Sequence, residues 1–154
     1  MKLHINKNQL QTIFEESERG WPEEVCGFVV GLAQNGKREA IEVIPCQNIQ
    51  NLLHQKDPER YPRNAKTAYT IDPKEMNRIQ KEAVEKGFEI LSIFHSHPEH
   101  GVYFSDEDKG MAAPFGEPLF PNLSYLVVSV YGKKVKNASE FFWDGKDFVE
   151  MKIL

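Results

Sequence analysis

Residues 87–98, Gly-Phe-Glu-Ile-Leu-Ser-Ile-Phe-His-Ser-His-Pro, decide how the chain is read. Apolar side chains crowd the centre of this stretch, so Glu89 to His95 predicts a core strand, with Leu91, Ile93 and Phe94 in the interior. The strand runs straight into His95-Ser96-His97-Pro98. Side chains two apart on a strand share one face, so both imidazoles can converge on a single ion. A buried strand that delivers two histidines to its own end is the frame on which the remaining elements hang.

Upstream, Asp72-Pro73 opens a helix, the cap residue being followed by proline at the first helical position. It runs to Lys86 and stops at Gly87. An earlier helix is capped by Asn6, carries Leu10, Ile13, Phe14 and Ser17 on one stripe, and ends at Gly20-Trp21-Pro22. Val25 to Leu32 is a nearly unbroken apolar run, expected to be a strand buried on both faces. Asn35-Gly36 is a hairpin signal, and Glu39 to Pro45 alternates as the returning strand. Gln47 to Lys66 is polar, holds two prolines and reads as a long loop or insertion, with Ala68 to Ile71 a short strand after it. Downstream, a loop from Ser96 to Phe104 precedes a short helix opening at Ser105, and a Pro- and Gly-containing loop follows to Asn122. Tyr125 to Val130 is another buried strand. Ser139 to Trp143 and Phe148 to Ile153, joined by Asp144-Gly145, form a closing hairpin. Strands and helices interleave without strict βαβ alternation, which predicts an α/β or α+β domain with a mixed sheet.

The chain has 154 residues, one domain's worth over residues 1–154, and its 40% apolar and 27% charged residues suit a soluble globular protein. A net charge of −4 with scattered basic residues excludes nucleic acid and anionic membranes as main partners. The start, Met-Lys-Leu-His-Ile-Asn-Lys, turns polar too soon for a signal peptide, and no apolar run approaches the ~20 residues of a membrane span. A cytoplasmic location is the expectation. Cys26 and Cys46 lack the close spacing of a redox or zinc-knuckle motif and are expected to be reduced, buried small residues.

Eight residues beyond His97 stands Ser105-Asp106-Glu107-Asp108. By itself this is a capping box, Ser105 capping the helix and Asp108 answering from the third position, with acids suited to the positive helix end. A capping box also holds Asp108 rigidly, and at a fixed offset from a His-x-His pair it becomes a third ligand. Two imidazoles and a carboxylate are what a catalytic zinc needs while keeping a fourth position for water. The chemistry still requires a general base on a rigid neighbouring element. Glu23 and Glu24 both stand at the mouth of the strand beginning at Val25.

Glu24-Val25-Cys26-Gly27 followed by His95-x-His97-x(7)-Ser105-x(2)-Asp108 resembles the JAMM motif of MPN+ domain zinc metallopeptidases. Gly31, the helix before His95, and Ser124 to Val130 also fall where such domains carry them, so the resemblance covers nearly the whole chain. It implies a JAB/MPN-like, cytidine-deaminase-like fold, a mixed and mostly antiparallel sheet flanked by helices. It implies Zn2+ held by His95, His97 and Asp108, Glu24 rather than Glu23 as the base, and Ser105 steadying the oxyanion or the water. Compact members of this length are similar to the peptidase that releases cysteine from a sulfur carrier. The implied reaction is therefore hydrolysis of an amide or isopeptide bond at the tail of a ubiquitin-like or sulfur-carrier protein.

Two other readings compete. His95-Ser96-His97-Pro98-Glu99-His100 looks like the His-x-His-x-Asp-His start of metallo-β-lactamase folds, but no histidine follows His100 to complete that metal shell. His100 then reads as a loop histidine, with a substrate or auxiliary metal contact as the alternative. A non-catalytic MPN-type scaffold or binding module typically lacks part of the ligand set, whereas this chain has all three ligands together with Glu24 and Ser105.

Overall fold

Asn6 starts the first helix with a reciprocal capping box: its side chain accepts from the Gln9 N–H at 2.8 Å, and the Gln9 side chain accepts from the Asn6 N–H at 2.9 Å. The computed structural model describes residues 2–154. A two-residue strand β1 (Leu3–His4) leads into α1 (Lys7–Gly20), and then come the hairpin strands β2 (Cys26–Gln34) and β3 (Lys37–Cys46). Their turn uses Asn35 and Gly36 at φ of 53° and 73°, the left-handed pair that a tight two-residue hairpin needs. Next come α2 (Gln50–Lys56), α3 (Pro73–Glu85), β4 (Glu89–Pro98), α4 (Asp106–Ala112), β5 (Ser124–Tyr131), β6 (Lys134–Trp143) and β7 (Phe148–Lys152).

The seven strands form one sheet in the order β1-β3-β2-β4-β5-β6-β7. Four neighbouring pairs are antiparallel, and β1–β3 and β4–β5 are parallel, so the sheet is mixed and mostly antiparallel as expected. Parallel neighbours need a crossover, and α4 with its flanking loops supplies the one between β4 and β5. Among the described residues no helix is long and apolar enough to cross a membrane.

Both faces of the sheet are covered. Ile13 of α1 packs with Val29, Leu91, Phe94, Leu126 and Val128 on one side. On the other side Ile79 and Ala83 of α3 pack on Phe28 and Val30, and Ala112 of α4 packs with Phe104, Tyr125 and Val127. The β2–β4 register slips between Val29, opposite Ser92, and Val30, opposite Ile90, leaving Leu91 as an extra residue. That bulge lets Ile90 and Ile93 face the α3 and α4 side while Leu91 and Phe94 face α1. His95 and His97 continue the Ile93 face.

Gly27 makes the centre of the sheet possible. A Cβ there would meet the Ile44 carbonyl at 2.4 Å and the Phe94 ring at 2.5 Å, so the bare backbone is what lets Phe94 lie across β2. Beneath α1, Arg38 and Glu140 form a buried ion pair at 2.9 Å. Arg38 also donates to the Leu91 carbonyl and to Ser124 Oγ, while Glu140 accepts from the Leu3 N–H at 3.1 Å, so these charges do not enter the core unpaired.

Several local expectations need correction, and the strand expected from Ser139, for one, already begins at Lys134 as β6. The stretch expected as a loop from Gln47 to Lys66 contains α2, and Ala68 to Ile71 is not a strand. Side-chain amides hold this region instead: Asn48 donates to the Glu24 and Ala68 carbonyls and accepts from the Gln50 and Thr70 N–H groups. Gln50 bonds the Arg63 carbonyl and Thr70, and Asn51 accepts from the Ala65 N–H. Residues 47–72 are thus a strap tied down by polar side chains rather than by a strand ladder. The loop expected from Ser96 also starts later, because β4 pairs with β5 through Pro98 opposite Val130.

Candidate metal centre

The site is assembled at the end of β4. His95 is fully buried and His97 is 6% exposed, both on the face that carries Ile93. Ser96 between them points the other way, where its Oγ accepts from the Val25 N–H at 2.8 Å and its own N–H donates to the Val25 carbonyl at 3.0 Å. The residue separating the histidines therefore clamps the chain immediately beyond Glu24. Glu24 is pinned from its other side as well, its N–H donating to the Ala65 carbonyl at 2.7 Å and its own carbonyl accepting from Asn48 at 2.9 Å.

Asp108 arrives from the first turn of α4 through the expected capping box. Its N–H donates to Ser105 Oγ at 3.0 Å, and its Oδ2 accepts from the Ser105 N–H at 3.1 Å. That same Oδ2 lies 3.3 Å from His95 Nε2 and 3.6 Å from His97 Nε2, and the two Nε2 atoms are 3.1 Å apart. The three atoms form a compact triangle. A tetrahedral zinc with ligand distances of about 2.0–2.1 Å spaces its ligands about 3.3–3.4 Å apart. The observed edges bracket that spacing, and the donor set of two imidazoles and one carboxylate suits the same ion.

The electrostatics point the same way. Burial opposes the charged form of Asp108, but its contacts with His95, His97 and the Ser105 N–H outweigh this and hold its carboxyl well below the usual carboxylate range. Burial pushes His95 down, toward the neutral imidazole that can ligate, against the pull of Asp108. His97 is oriented from behind, since its Nδ1 lies 3.0 Å from the Gly101 carbonyl. Donation from Nδ1 leaves the Nε2 lone pair facing the triangle. The turn that presents Gly101 is itself anchored. Glu99 adopts φ of 60°, its Oε1 accepts from Trp21 Nε1 at 2.9 Å and from the Gly132 N–H at 2.7 Å, and Ser129 Oγ donates to the His100 carbonyl.

Glu24, 8% exposed, lines a cleft of about 1120 Å3 together with His97, Ser105 and Asp108. Burial and then the charge of Asp108 push its carboxyl up to about 9, while Arg63 acts in the opposite direction. Glu23 is exposed and accepts from Asn51 at 3.1 Å, away from the triangle. The structure thus separates two adjacent glutamates that the bare spacing left equivalent. His100 lies in the loop after β4 and lines the same cleft. Cys26 and Cys46 are free and stand opposite each other across β2 and β3, and burial raises both thiols, Cys46 to about 12.

Two aromatic residues that the sequence did not single out flank the imidazoles. Tyr69 stacks on His95 with ring centroids 4.5 Å apart and planes inclined by 24°, and Tyr103 lies 4.9 Å from His97. No spacing signal marks Tyr69, one of two tyrosines in an irregular strap.

This sheet, with a two-histidine strand end facing a capped aspartate, is the arrangement of a JAMM/MPN-type domain, and residues 6–144 match the family of prokaryotic homologs of the JAB domain, to which the chain belongs. A desampylase of Haloferax volcanii is 25% identical over 132 residues, covering 86% of this chain and 78% of that protein. A solution structure of a Desulfitobacterium hafniense protein superposes with a TM-score of 0.74 at 24% identity, covering 99% of this chain and 92% of that one. The crystal structure of a JAB1/MPN domain protein from Archaeoglobus fulgidus gives a TM-score of 0.51 at 18% identity, covering 100% and 99%. These structural likenesses show the fold.

Proposed function

We propose that the chain is a zinc-dependent hydrolase of amide or isopeptide bonds that acts at the C-terminal tail of a ubiquitin-like or sulfur-carrier protein. The observation that carries this reading is the triangle of His95, His97 and Asp108 with edges of 3.1–3.6 Å, opening on a cleft that also holds the buried carboxyl of Glu24. The name of the Haloferax relative supports a ubiquitin-like modifier as the substrate class. His95, His97 and Asp108 would hold zinc, which when bound supplies a Lewis acid that polarises a carbonyl and makes water acidic near neutral pH.

The protein's own groups divide the remaining work. Glu24, pinned through its backbone to Ala65 and Asn48, takes a proton from the attacking water and passes it to the leaving amine nitrogen. To take that proton Glu24 must be ionised, and the positive charge of a bound ion would favour that form against the burial and the Asp108 charge that raise its carboxyl. Ser105 Oγ accepts from the Asp108 N–H, which leaves its O–H free to donate to the substrate oxygen as negative charge develops there. The cleft is lined by residues of α4 and of the strap, and its volume of about 1120 Å3 leaves room for an extended tail.

The test is turnover of a carrier conjugate, read by mass spectrometry as the released amine. Glu24→Gln should retain zinc and lose about 10²–10⁴-fold in rate, while Glu23→Gln stays near wild type. Damage from Glu23→Gln instead, or loss of zinc from Glu24→Gln, would refute the assignment. Replacing the carrier's terminal glycines with valines should abolish cleavage, and equal cleavage of unrelated unstructured peptides would show a general peptidase.

A further inference from the structure

The two imidazoles of the triangle are held in different ways. His97 has a hydrogen-bond partner behind it, the Gly101 carbonyl at 3.0 Å from Nδ1. His95 does not: its Nδ1 is buried and has no hydrogen-bond partner among the described residues. Metal-ligating histidines almost always donate their second ring nitrogen to a carbonyl or carboxylate, which fixes both the tautomer and the ring orientation. Asp108 Oδ2, 3.3 Å from Nε2, selects the edge that faces the triangle, but without a partner behind the ring no polar group fixes the tilt of its plane, and packing must do so.

An aromatic face supplies such packing. Tyr69 lies face to face with His95 at 4.5 Å and 24°, while His97 meets the same ring edge-on at 4.9 Å and 61°. The strap holds Tyr69 there. Its neighbours Ala68 and Thr70 are both tied to Asn48, and the Thr70 carbonyl accepts from the Ile49 N–H at 2.9 Å. Asn48 also bonds the Glu24 carbonyl. One asparagine therefore fastens the chain on either side of Tyr69 and the residue proposed as the base.

We propose that Tyr69 is the positioning residue for His95, its ring face taking the place of the missing hydrogen bond by fixing the orientation in which Nε2 meets the metal. The inference rests on the zinc reading of the triangle. It assigns the effect to the flat ring and not to the hydroxyl, so Tyr69→Phe should behave as wild type. Tyr69→Leu and Tyr69→Met remove the flat face, and Met's flexible side chain refills the space if Leu leaves the strap loose.

The experiment measures zinc affinity of the metal-free proteins by competition with a chromophoric chelator, together with the visible spectrum after Co2+ loading and thermal unfolding without metal. Tyr69→Leu and Tyr69→Met should each bind zinc about 10–100-fold more weakly, the usual cost of losing a ligand's supporting partner. Both should also show an altered Co2+ spectrum, which a merely structural role would leave unchanged. Tyr69→Phe should keep the wild-type affinity and spectrum. Unchanged affinity in both Leu and Met variants would overturn the proposal, and so would Tyr69→Phe binding as weakly as they do. A wild-type protein that takes up no zinc would overturn the zinc reading and this proposal with it, whereas tight wild-type binding with an indifferent Tyr69 would sink the proposal alone.

Discussion

Replacing Glu24 by Gln in the metal-free protein should change how stability depends on pH. Glu24 is 8% exposed, and its carboxyl is raised from 4.5 to about 9, chiefly by burial and next by the charge of Asp108. A raised folded-state pKa means that the folded chain keeps a proton the unfolded chain has already released. The stability this proton contributes is therefore complete below about pH 4.5 and is lost as the pH climbs through the folded value. The loss is at most about 1.4 kcal/mol per pH unit in that window, or up to about 3 kcal/mol between roughly pH 5.5 and 8. Glutamine has no proton to lose, and all other titrating groups are common to both proteins, so the difference between their profiles isolates Glu24. Urea unfolding with a chelator present, at several pH values across that range, measures it. The wild type should weaken relative to Glu24→Gln by about 2–3 kcal/mol as the pH rises. Parallel profiles would refute the argument from burial, and the opposite slope would mean that Glu24 is charged and well paired in the metal-free fold.

Zinc content should be near one equivalent in the wild type and should fall sharply in His97→Ala and Asp108→Ala, as measured by elemental analysis after dialysis; full metal and activity in either variant would end the ligand assignment. Gly27→Ala places a methyl group 2.4 Å from the Ile44 carbonyl and 2.5 Å from the Phe94 ring, so it should cost about 1–3 kcal/mol or more in unfolding free energy. An unchanged unfolding midpoint would show that β2 and β3 can separate at no cost.

The parts of the fold that the sequence disclosed are those where period and punctuation agree. The apolar run after Glu24, the Asn35-Gly36 turn, the Asp72-Pro73 helix start and the Ser105 capping box all lie where their residues predict. The triangle itself was legible because His95 and His97 share a strand face and Asp108 has a fixed place in a cap. The strap was not legible. Asn48, Gln50 and Asn51 read as solvated loop residues, yet their amides close on backbone groups far along the chain, contacts that no local pattern reports. Tyr69 escaped notice for the same reason, since its place over His95 is set by those amides. The end of β4 was set too early, at His95, because the apolar run stops there, whereas the parallel register with β5 carries the strand through Pro98.

The origin of Asp108 bears on how quickly the site can fill and empty. The two imidazoles belong to the sheet and stay in place whenever the sheet is folded. The carboxylate belongs to α4, whose seven residues fall short of the ~12–15 that hold a helix alone in water. Its one cap bond, from the Ser105 N–H, and its contacts with the imidazoles use the same oxygen atom, Oδ2. Winding the first turn of α4 and closing the third corner of the triangle are therefore one event. An equilibrium affinity measured on this protein includes the free energy of ordering that turn. For the proposed zinc, the expected off-rate is then that of unwinding a helix end, a motion of the chain, rather than of exchanging a nitrogen or oxygen on the metal.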